Sequence, residues 1–329
     1  MNEVPTVYVA APAWADRAFE VVTRTLARSV AIRHVVVGGE NIDADAAAKA
    51  EILWRYHLRA DQVAAIVDEL PALRWVHSDY VGVEDLPMAA LRERGILLSN
   101  GAAISARPMA EWVVLAILAA AKQLPRFVRQ SDARTWDMGP PLAGLRGKVV
   151  VLLGLGAVGT EAARLLEPFG MEVRGCVRRP RPGTPLPPGV SRLAVGGAWR
   201  DELADADFVV CALPLTAATT HMLDEAAFRA VGPGAWIVNV ARGGLIDHQA
   251  LLAALDRGHL GGAVLDAFEV EPLPSEDPLW GRPDVLVLPH VTWSSSHTMD
   301  DFKTRFATQL GRWLAGEEPA DLVDLGAGY

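Results

Sequence analysis

Three residues of complementary chemistry, Arg242, Glu271 and His290, each come soon after an apolar run in the second half of the chain. Histidine is the usual proton donor near neutral pH, and a carboxylate beside it favours its protonated form. An arginine can bind a substrate carboxylate and polarise an adjacent carbonyl group. Each residue alone is more often structural or solvated. Together they suit the reduction of a 2-keto acid, in which hydride addition to C2 leaves charge on the carbonyl oxygen.

A glycine-rich turn precedes these residues in the chain. Residues 154–159 read Gly-Leu-Gly-Ala-Val-Gly, directly after an apolar run and before a helical pattern at 160–167. In that context the first glycine allows a tight turn, the second lets the backbone approach a pyrophosphate, and the third lets helix and strand pack closely. The start of the helix adds free N–H groups and a positive dipole end. We therefore expect a dinucleotide to be bound by Gly154, Gly156, Ala157, Val158 and Gly159.

The end of the next predicted strand bears on which dinucleotide is bound. Sites for NAD usually have an Asp or Glu about 20 residues past the turn, which binds the ribose 2′-hydroxyl. Here the strand ends in Arg178 and Arg179 without a carboxylate, and Glu172 lies at its opposite end. Arginines at this place can bind the 2′-phosphate of NADP, although solvated loop charges are the alternative. We expect NADP(H) to be preferred, with NAD(H) as the second choice.

The composition argues against several classes of partner. The 329 residues carry a formal net charge of −9, which disfavours binding to nucleic acid and anionic membranes. The two cysteines, Cys176 and Cys211, lie in separate apolar runs and predict buried strand residues, not a disulfide or a metal pair. The sequence has no metal-ligand spacing and no secretory signal, and its longest apolar stretch, 112–121, is too short to span a bilayer. We expect a soluble cytoplasmic protein without a metal.

Strands alternate with helices twice along the chain, which predicts two parallel sheets. Five strands are predicted in the first hundred residues, at 6–11, 32–37, 52–56, 73–78 and 96–99. Six are predicted in the second alternation, at 149–155, 173–177, 208–213, 236–241, 263–268 and 285–289. Ligands of such sheets lie outside the carboxyl ends of the strands. The three charged residues should therefore converge in one crevice.

Helical patterns connect these strands. One long helix is predicted from Ser105 to about Arg129, after the first alternation. A last helix, at 298–314, falls beyond the second alternation, so we expect it to pack on the N-terminal part. The proline-rich stretch 180–188 predicts an irregular loop within the second alternation.

In the order in which they occur, these motifs resemble those of the D-2-hydroxyacid dehydrogenase family over nearly the whole chain. Beside the glycine turn, the matching stretches are 213–216, 239–247, 265–274 and 289–290. The resemblance implies that Arg242, Glu271 and His290 are the catalytic set. It also selects Glu271 over Glu269 as the partner of the histidine, since the family uses the carboxylate of the Glu-Pro step.

The resemblance extends to contacts with the cofactor and the substrate. It implies that Asp266 contacts the nicotinamide side of the cofactor. The cofactor contacts predicted on the matching stretches are Leu213, Pro214, Val240, Ala241, Arg242, Asp266 and His290. Residues 78–84 resemble the family's substrate loop, in which backbone N–H groups near Val81 and Gly82 would hold the substrate carboxylate. The predicted substrate contacts are Tyr80, Val81, Gly82 and Arg242.

Some residues depart from the family pattern. The loop has Tyr80-Val81 and Glu84 where the family usually has a small residue and an aspartate, and this alters the expected size and pose of the substrate. Trp293, three residues after the histidine, is another departure. It either lines the pocket or packs between domains.

The resemblance also implies an α/β architecture of two doubly wound parallel-sheet domains, with a Rossmann cofactor domain inserted in a flavodoxin-like substrate domain. The expected boundaries are 1–101 plus 296–329 for the substrate domain and 102–295 for the cofactor domain. Hinges are expected near 100–105 and 291–296. Family members usually form homodimers through the cofactor domain, and the helix at 111–114 and the segment near Trp136 are candidates for that contact.

The leading hypothesis is an NADPH-dependent reductase of small 2-keto acids, of the glyoxylate and hydroxypyruvate type. An NAD-linked dehydrogenase of a larger D-2-hydroxy acid, or of phosphite, is the alternative among enzymes. A non-catalytic regulator that senses the dinucleotide is the alternative from another class, because fold alone does not establish activity. The intact set of Arg242, Glu271 and His290 argues against that regulator.

Overall fold

The structure, a computed structural model, describes residues 6–26, 30–38, 42–101, 104–180, 183 and 185–328. Contacts between Cα atoms divide the chain into two compact units. The first unit is Met1–Ile104 with Ser295–Tyr329, and the second unit is Ser105–Ser294. Residues 102–103, on which one predicted boundary and one predicted hinge fall, lie outside the described residues.

The regular elements are numbered in chain order. The strands are β1 Thr6–Pro12, β2 Ala31–Val37, β3 Ile52–Arg55, β4 Trp75–Ser78, β5 Leu97–Asn100, β6 Val149–Leu153, β7 Glu172–Val177, β8 Val190–Val195, β9 Phe208–Cys211, β10 Trp236–Asn239, β11 Gly262–Leu265 and β12 Val285–Val287. The helices are α1 Asp16–Thr25, α2 Ala44–Ala47, α3 Ala60–Glu69, α4 Met88–Glu93, α5 Ala106–Ala121, α6 Leu124–Asp132, α7 Ala157–Leu166, α8 Glu225–Ala230, α9 His248–Asp256 and α10 Thr298–Leu314.

The first unit is built on a parallel sheet in the order β2-β1-β3-β4-β5. This is the strand order of flavodoxin-like folds. Successive side chains of the strands point to opposite faces, which gives the sheet two apolar cores. Helices α1 and α10 cover one face, where Trp54 stacks on Phe306 with ring centroids 4.2 Å apart. Helices α2, α3 and α4 cover the other face.

The second unit is built on a parallel sheet in the order β12-β11-β10-β9-β6-β7-β8. Helices α5 and α7 pack on one face, and α8 and α9 pack on the other. Coverage on both faces explains the continuous Val, Ile and Leu runs of these strands. The predicted fold class, two α/β parallel-sheet domains of the Rossmann type, is confirmed. Both cysteines are buried and unpaired in strands of this unit, as predicted.

Two details of the second unit differ from the sequence prediction. The prediction of six strands was wrong, because it missed β8, an edge strand whose polar residues and register shift near Val173 hide the pattern. The prediction of a single long helix from Ser105 to about Arg129 was also wrong. The helix is broken into α5 and α6 at Gln123, which has a left-handed φ of 49°, since Pro125 cannot continue a helix interior. Among the described residues, no helix has the length and apolar character needed to cross a bilayer.

Candidate active site

The glycine turn has the geometry that each of its glycines requires. Gly154 has a φ of 105°, and a Cβ there would collide with the carbonyl of Ala212. A Cβ on Gly159 would collide with the carbonyl of Gly154, so α7 can approach β6 only with glycine at this position. By contrast, a Cβ on Gly156 would meet open space. The space beside the Gly156 backbone is therefore open to the approach of a pyrophosphate.

Helix α7 begins directly at this turn. It starts at Ala157, three residues earlier than predicted, so Ala157 and Val158 belong to its first turn. Gly156 provides no side-chain cap, and the first turn carries no acidic residue. The amide groups and the positive end of the helix dipole are thus available to an anion. These residues fit the pyrophosphate of a dinucleotide.

The end of β7 lies beside the turn. The amide of Gly154 donates to the carbonyl of Cys176 over 3.0 Å, which couples the turn to this strand. Arg178 and Arg179 follow the strand and are exposed. Glu172, at the strand's other end, accepts from the guanidinium of Arg174 at 2.7 Å. The strand end next to the glycine turn is therefore basic.

His290 and Glu271 are in direct contact. The Nδ1–H of His290 donates to Oε2 of Glu271 over 2.8 Å, and Oε1 of the same carboxylate accepts from the amide of Phe268 at 2.9 Å. Both side chains are partly exposed, at 40% and 35%. His290 has a φ of 54°, an uncommon conformation that is costly for a residue other than glycine.

The backbone that follows His290 is fixed by Asp266. This buried carboxylate accepts from the amides of Val291 and Thr292, at 2.8 and 3.0 Å, and from the hydroxyl of Thr292 at 2.6 Å. The indole N–H of Trp293 donates to the carbonyl of His290 over 3.0 Å. Asp266 and Trp293 thus hold His290 in its strained conformation, a function that the sequence did not indicate. The cofactor contact expected of Asp266 stays a prediction.

Arg242 follows β10 in a turn held by a buried asparagine. The Asn239 side chain accepts from the amide of Ala241 at 3.0 Å and donates to the carbonyl of Arg242 at 2.9 Å. Arg242 is partly buried, and its Nη1 donates to the carbonyl of Ala241 over 2.8 Å. A Cβ on Gly243 would collide with the backbone between Phe268 and Glu269. Asn239 was missed, and its place at the head of the matching stretch 239–247 is the one signal for it.

The sheet order brings the predicted residues of the second unit to one edge. Strands β12, β11, β10, β9 and β6 are consecutive neighbours, and all are parallel. Their carboxyl ends carry, in that order, His290, the segment with Asp266 and Glu271, the turn with Val240, Ala241 and Arg242, the pair Leu213 and Pro214, and the glycine turn. The order of these parallel strands is enough to bring the predicted residues to the same edge of the sheet.

A second histidine–carboxylate pair lies in the same unit. His221 is hydrogen-bonded to Glu269, and this bond raises the pKa of the imidazole. The backbone amide of His221 donates to the carbonyl of Gly244 over 2.8 Å. Glu269 is thus engaged by His221 while Glu271 is engaged by His290. Sequence reasoning gave His221 no function, because the pairing depends on the course of two loops.

The predicted substrate loop lies in the first unit, at the carboxyl end of β4. The Tyr80 hydroxyl is 3.2 Å from Nδ1 of His57, and the Arg55 guanidinium lies 5.1 Å from the centre of the Tyr80 ring. Burial lowers the pKa of His57, which keeps this imidazole neutral at neutral pH. The side-chain amide of Asn100 donates to the carbonyl of Val81 over 2.9 Å. The loop is thus held on both sides, and Tyr80 and Val81 remain exposed.

Comparison with known proteins places the chain in a family. Residues 114–292 match the family model described as D-isomer specific 2-hydroxyacid dehydrogenase, NAD binding domain. The chain is 33% identical over 267 residues to D-3-phosphoglycerate dehydrogenase of Mycobacterium bovis, an alignment that covers 80% of this chain and 49% of that protein. It is 31% identical over 261 residues to glyoxylate/hydroxypyruvate reductase B of Klebsiella pneumoniae, covering 78% of this chain and 79% of that protein. The chain spans about half the length of the phosphoglycerate dehydrogenases that it matches.

A solved structure extends the likeness over the whole fold. The D-isomer specific 2-hydroxyacid dehydrogenase from Xanthobacter autotrophicus Py2, in complex with NADPH and MES, matches with a TM-score of 0.82 at 28% identity. The match covers 98% of this chain and 99% of that chain. The protein belongs to the D-isomer specific 2-hydroxyacid dehydrogenase family. The predicted family is confirmed, and the match to an NAD binding domain supports the predicted nicotinamide dinucleotide cofactor.

Proposed function

We propose that this protein reduces small 2-keto acids, of the glyoxylate and hydroxypyruvate kind, to D-2-hydroxy acids, with NADPH as the preferred reductant. The contact of His290 with Glu271, at the sheet edge that also carries Arg242, is the observation that carries the proposal. The bound cofactor would supply the hydride that is added to C2 of the keto acid. The name of the Klebsiella relative supports this class of substrate.

His290 is proposed as the proton donor. Because Nδ1 is engaged by Glu271, Nε2 is the nitrogen from which the substrate oxygen would take its proton. The carboxylate of Glu271 orients the ring and stabilises the imidazolium before transfer. In the oxidation of a hydroxy acid the same nitrogen would accept the proton. The strained backbone of His290, held by Asp266, fixes the ring for this transfer.

Arg242 is proposed to bind the substrate carboxylate and to polarise the carbonyl that is reduced. We assign a further part in substrate binding to Tyr80 and to the backbone N–H groups near Val81 and Gly82. On this reading the first unit is the substrate domain and the second unit is the cofactor domain. Tyr80 is bulkier than the residue usual at its place, which favours small keto acids.

The cofactor would be held by the glycine turn, by the start of α7 and by the strand ends beside them. The residues assigned to it are Gly154, Gly156, Ala157, Val158, Gly159, Arg178, Arg179, Leu213, Pro214, Val240, Ala241, Arg242, Asp266 and His290. The preference for NADPH is supported by the exposed Arg178 and Arg179 and by the lack of a carboxylate at the end of β7. The NADPH complex of the Xanthobacter structure agrees with it.

Cofactor preference can be tested by removing these two charges. Arg178→Ala and Arg179→Ala should each weaken NADPH binding by about tenfold, the value of one charge-assisted hydrogen bond, and leave NADH binding nearly unchanged. Dissociation constants for both dinucleotides, from fluorescence titration, measure this. Arg229→Ala is the matched control, since Arg229 is an exposed arginine of α8 paired with Glu225. Equal effects on NADPH and NADH would return the two arginines to the role of surface charges.

A second candidate function is an NAD-linked dehydrogenase of a larger D-2-hydroxy acid. The identity of 33% to a D-3-phosphoglycerate dehydrogenase favours it over oxidation of phosphite. A regulator that only senses the dinucleotide remains the alternative without chemistry. The decisive experiment follows the loss of reduced cofactor with glyoxylate, hydroxypyruvate, phosphohydroxypyruvate and phenylpyruvate, each with NADPH and with NADH. Tight NADPH binding without turnover of any keto acid would contradict the enzyme proposal.

We also propose a cytoplasmic homodimer that assembles through the second unit. Helix α5 and the segment after it expose a group of large apolar side chains, with Trp136 95% exposed. The members of this group are Leu115, Leu124, Val128, Trp136 and Met138. An exposed group of this kind commonly marks a protein interface. Light scattering on the wild type and on Trp136→Ser tests this proposal, and a monomeric wild type would contradict it.

A further inference from the structure

A buried polar pair lies at the base of the substrate loop in the first unit. Asp79, the residue after β4, is 1% exposed, and His77 is fully buried. The Trp54 indole donates to Oδ1 of Asp79 over 3.0 Å, and Nε2 of His77 is 4.0 Å from the same oxygen. Among the described residues, Oδ2 of Asp79 and Nε2 of His77 have no hydrogen-bond partner.

The cations around Asp79 are engaged elsewhere. The Arg55 guanidinium donates to the carbonyl of Leu58 at 3.0 Å and to Asp85 at 3.0 Å. Arg305 of α10 is paired with Asp321. Within the described part of the chain, a carboxylate at position 79 would thus be buried with one hydrogen bond and no lysine or arginine in contact. A buried charge without a partner is strongly disfavoured, so the neutral acid is the form that fits this environment.

Asp79 is tied to the loop that follows it. Its carbonyl oxygen packs against Gly101, where any Cβ would collide with it. The Ser78 hydroxyl donates to the carbonyl of Tyr80 over 3.2 Å, and the Asn100 amide holds the carbonyl of Val81. The backbone on both sides of Asp79 is therefore fixed by neutral hydrogen bonds. The Asp79 carboxyl is a buried group at this place that can change charge.

We infer that Asp79 is a positioning residue for the proposed reaction: its carboxyl, in the protonated form, holds the substrate loop for binding, and loss of that proton weakens binding of the keto acid. This inference rests on the proposed function, because it assigns the loop to the substrate. It adds a residue that does not touch the substrate. Asp79 acts through Tyr80, Val81 and Gly82.

The pH range of this effect is near neutral. Burial raises the pKa of Asp79 to about 7, against the opposing influence of the Trp54 N–H and the Arg55 guanidinium. Burial lowers the pKa of His77 to about 3, so this imidazole is neutral where Asp79 titrates. The titratable and charged groups around Asp79 are Arg55 at the end of β3, Tyr56 just after it, His77 on β4, Tyr80 and Asp85 on the loop after β4, and Asp300, Lys303 and Arg305 on α10.

The test compares Asp79→Asn and Asp79→Ala with the wild type, each as the 329-residue chain, with kcat and KM for glyoxylate measured from pH 5.5 to 9. In the wild type KM should rise above pH 7, by up to about tenfold per pH unit. Asp79→Asn should lose this rise, because asparagine is neutral throughout and its side-chain oxygen can still accept from Trp54. Asp79→Ala should have a raised KM at every pH. Any pH dependence that comes from His290 is common to all three proteins and cancels in the comparison.

A matched control is Asp61→Asn, which removes an exposed carboxylate of α3 that is paired with Arg59. It should keep the wild-type KM profile. A profile of Asp79→Asn that follows the wild type would overturn the inference. Asp79→Asn with the same raised KM as Asp79→Ala would also overturn it, since the neutral amide would then fail to replace the acid.

A readout that does not need turnover separates this inference from the proposed function. The infrared spectrum at pH 6 should show a protonated carboxyl band that is absent in Asp79→Asn. If no keto acid is reduced, the proposed function fails, and calorimetric titration with glyoxylate in the presence of NADP+ replaces KM. Absence of the infrared band would overturn the inference even in an active enzyme.

Discussion

Two histidine–carboxylate pairs, one in each unit, occupy opposite environments. In the second unit Nδ1 of His290 is 2.8 Å from Oε2 of Glu271, and both side chains are partly exposed. In the first unit His77 and Asp79 are buried, and their nearest polar atoms are 4.0 Å apart. The same two residue types can therefore serve different purposes. The pair of His290 and Glu271 is open to a substrate, whereas the pair of His77 and Asp79 cannot be reached by one.

Contact and solvent access decide which protonation states such a pair favours. A carboxylate in contact with an imidazole stabilises the imidazolium, and partial exposure keeps both charges solvated. Burial without contact disfavours both charged forms. The pKa of Asp79 is raised to about 7 and that of His77 is lowered to about 3. Both groups are therefore neutral between these two pKa values. The open pair is suited to proton transfer and the buried pair to positioning.

Replacement of His290 should have the largest effect on turnover. His290→Ala removes the proposed proton donor, so kcat should fall by about 10²–10⁴, the usual contribution of general acid catalysis. The affinity for NADPH should stay within about twofold, because the glycine turn and α7 are unchanged. Steady-state kinetics with glyoxylate and fluorescence titration with NADPH measure the two quantities.

His221→Ala is the control for this experiment, since it removes another histidine of the second unit that is paired with a carboxylate. Its kcat should remain near that of the wild type. If His290→Ala kept full activity, the proton donor would have to be another group. If both variants lost activity equally, the distinction between the two pairs would fail.

The buried pair should show its effect in stability. The pKa of Asp79 is about 7 in the folded protein and about 4 in an unfolded chain, so the folded state binds this proton more tightly. Stability from this group is fully present below pH 4 and is lost as the pH rises through 7. The loss amounts to about 4 kcal/mol, at 1.4 kcal/mol per pH unit. Asp79→Asn should therefore gain stability over the wild type as the pH rises.

Thermal unfolding at pH 5 and pH 8 checks this prediction. The difference in Tm between Asp79→Asn and the wild type should be larger at pH 8. Asp61→Asn should show no such increase, since its carboxylate is exposed and lowered in pKa by a hydrogen bond with Arg59. A constant difference across this range would mean that Asp79 does not titrate in it.

The sequence predicts the edge of the second sheet well for a physical reason. Parallel strands have their carboxyl ends on one side, so residues after consecutive strands must converge whatever their side chains do. This is why Arg242, Glu271 and His290 could be proposed as one set from residue type and position, and their catalytic roles stay predictions. The two α/β sheets follow from alternation in the same way. The alternation of strand and helix patterns does not reveal β8, which depends on pairing at the edge of the sheet. It also does not reveal the break between α5 and α6, which depends on the φ value of Gln123.

Contacts that cross between loops or strands could not be predicted. Asp266 binds the backbone of Val291 and Thr292, some 25 residues later, and Asn239 binds its own turn. The pairing of His221 with Glu269 depends on how two loops approach. The environment of Asp79 depends on its hydrogen bond with Trp54 of the neighbouring strand β3. In each case the residue type is visible in the sequence, but its partner is chosen by tertiary packing.

The smallest effects are expected from the carboxylates of the second unit. Glu271→Gln keeps an oxygen that can accept from Nδ1 of His290 but removes the negative charge that stabilises the imidazolium. We expect kcat to fall by about 10–100-fold, less than for loss of the histidine, with KM changed by less than about threefold. Steady-state kinetics on the same keto acid measures both constants.

Glu269→Gln provides the matched comparison, because it removes the same charge two residues earlier in the same loop. Glu269 is bonded to His221, and an exposed pair of this kind contributes little to stability or activity. We expect kcat to change by less than about twofold, since the contact between His290 and Glu271 does not involve this side chain. A fall as large as that of Glu271→Gln would show that the charge of the loop as a whole, and not contact with His290, supports the proton donor. The open pair would then differ from the buried pair in its electrostatic surroundings and not in its geometry.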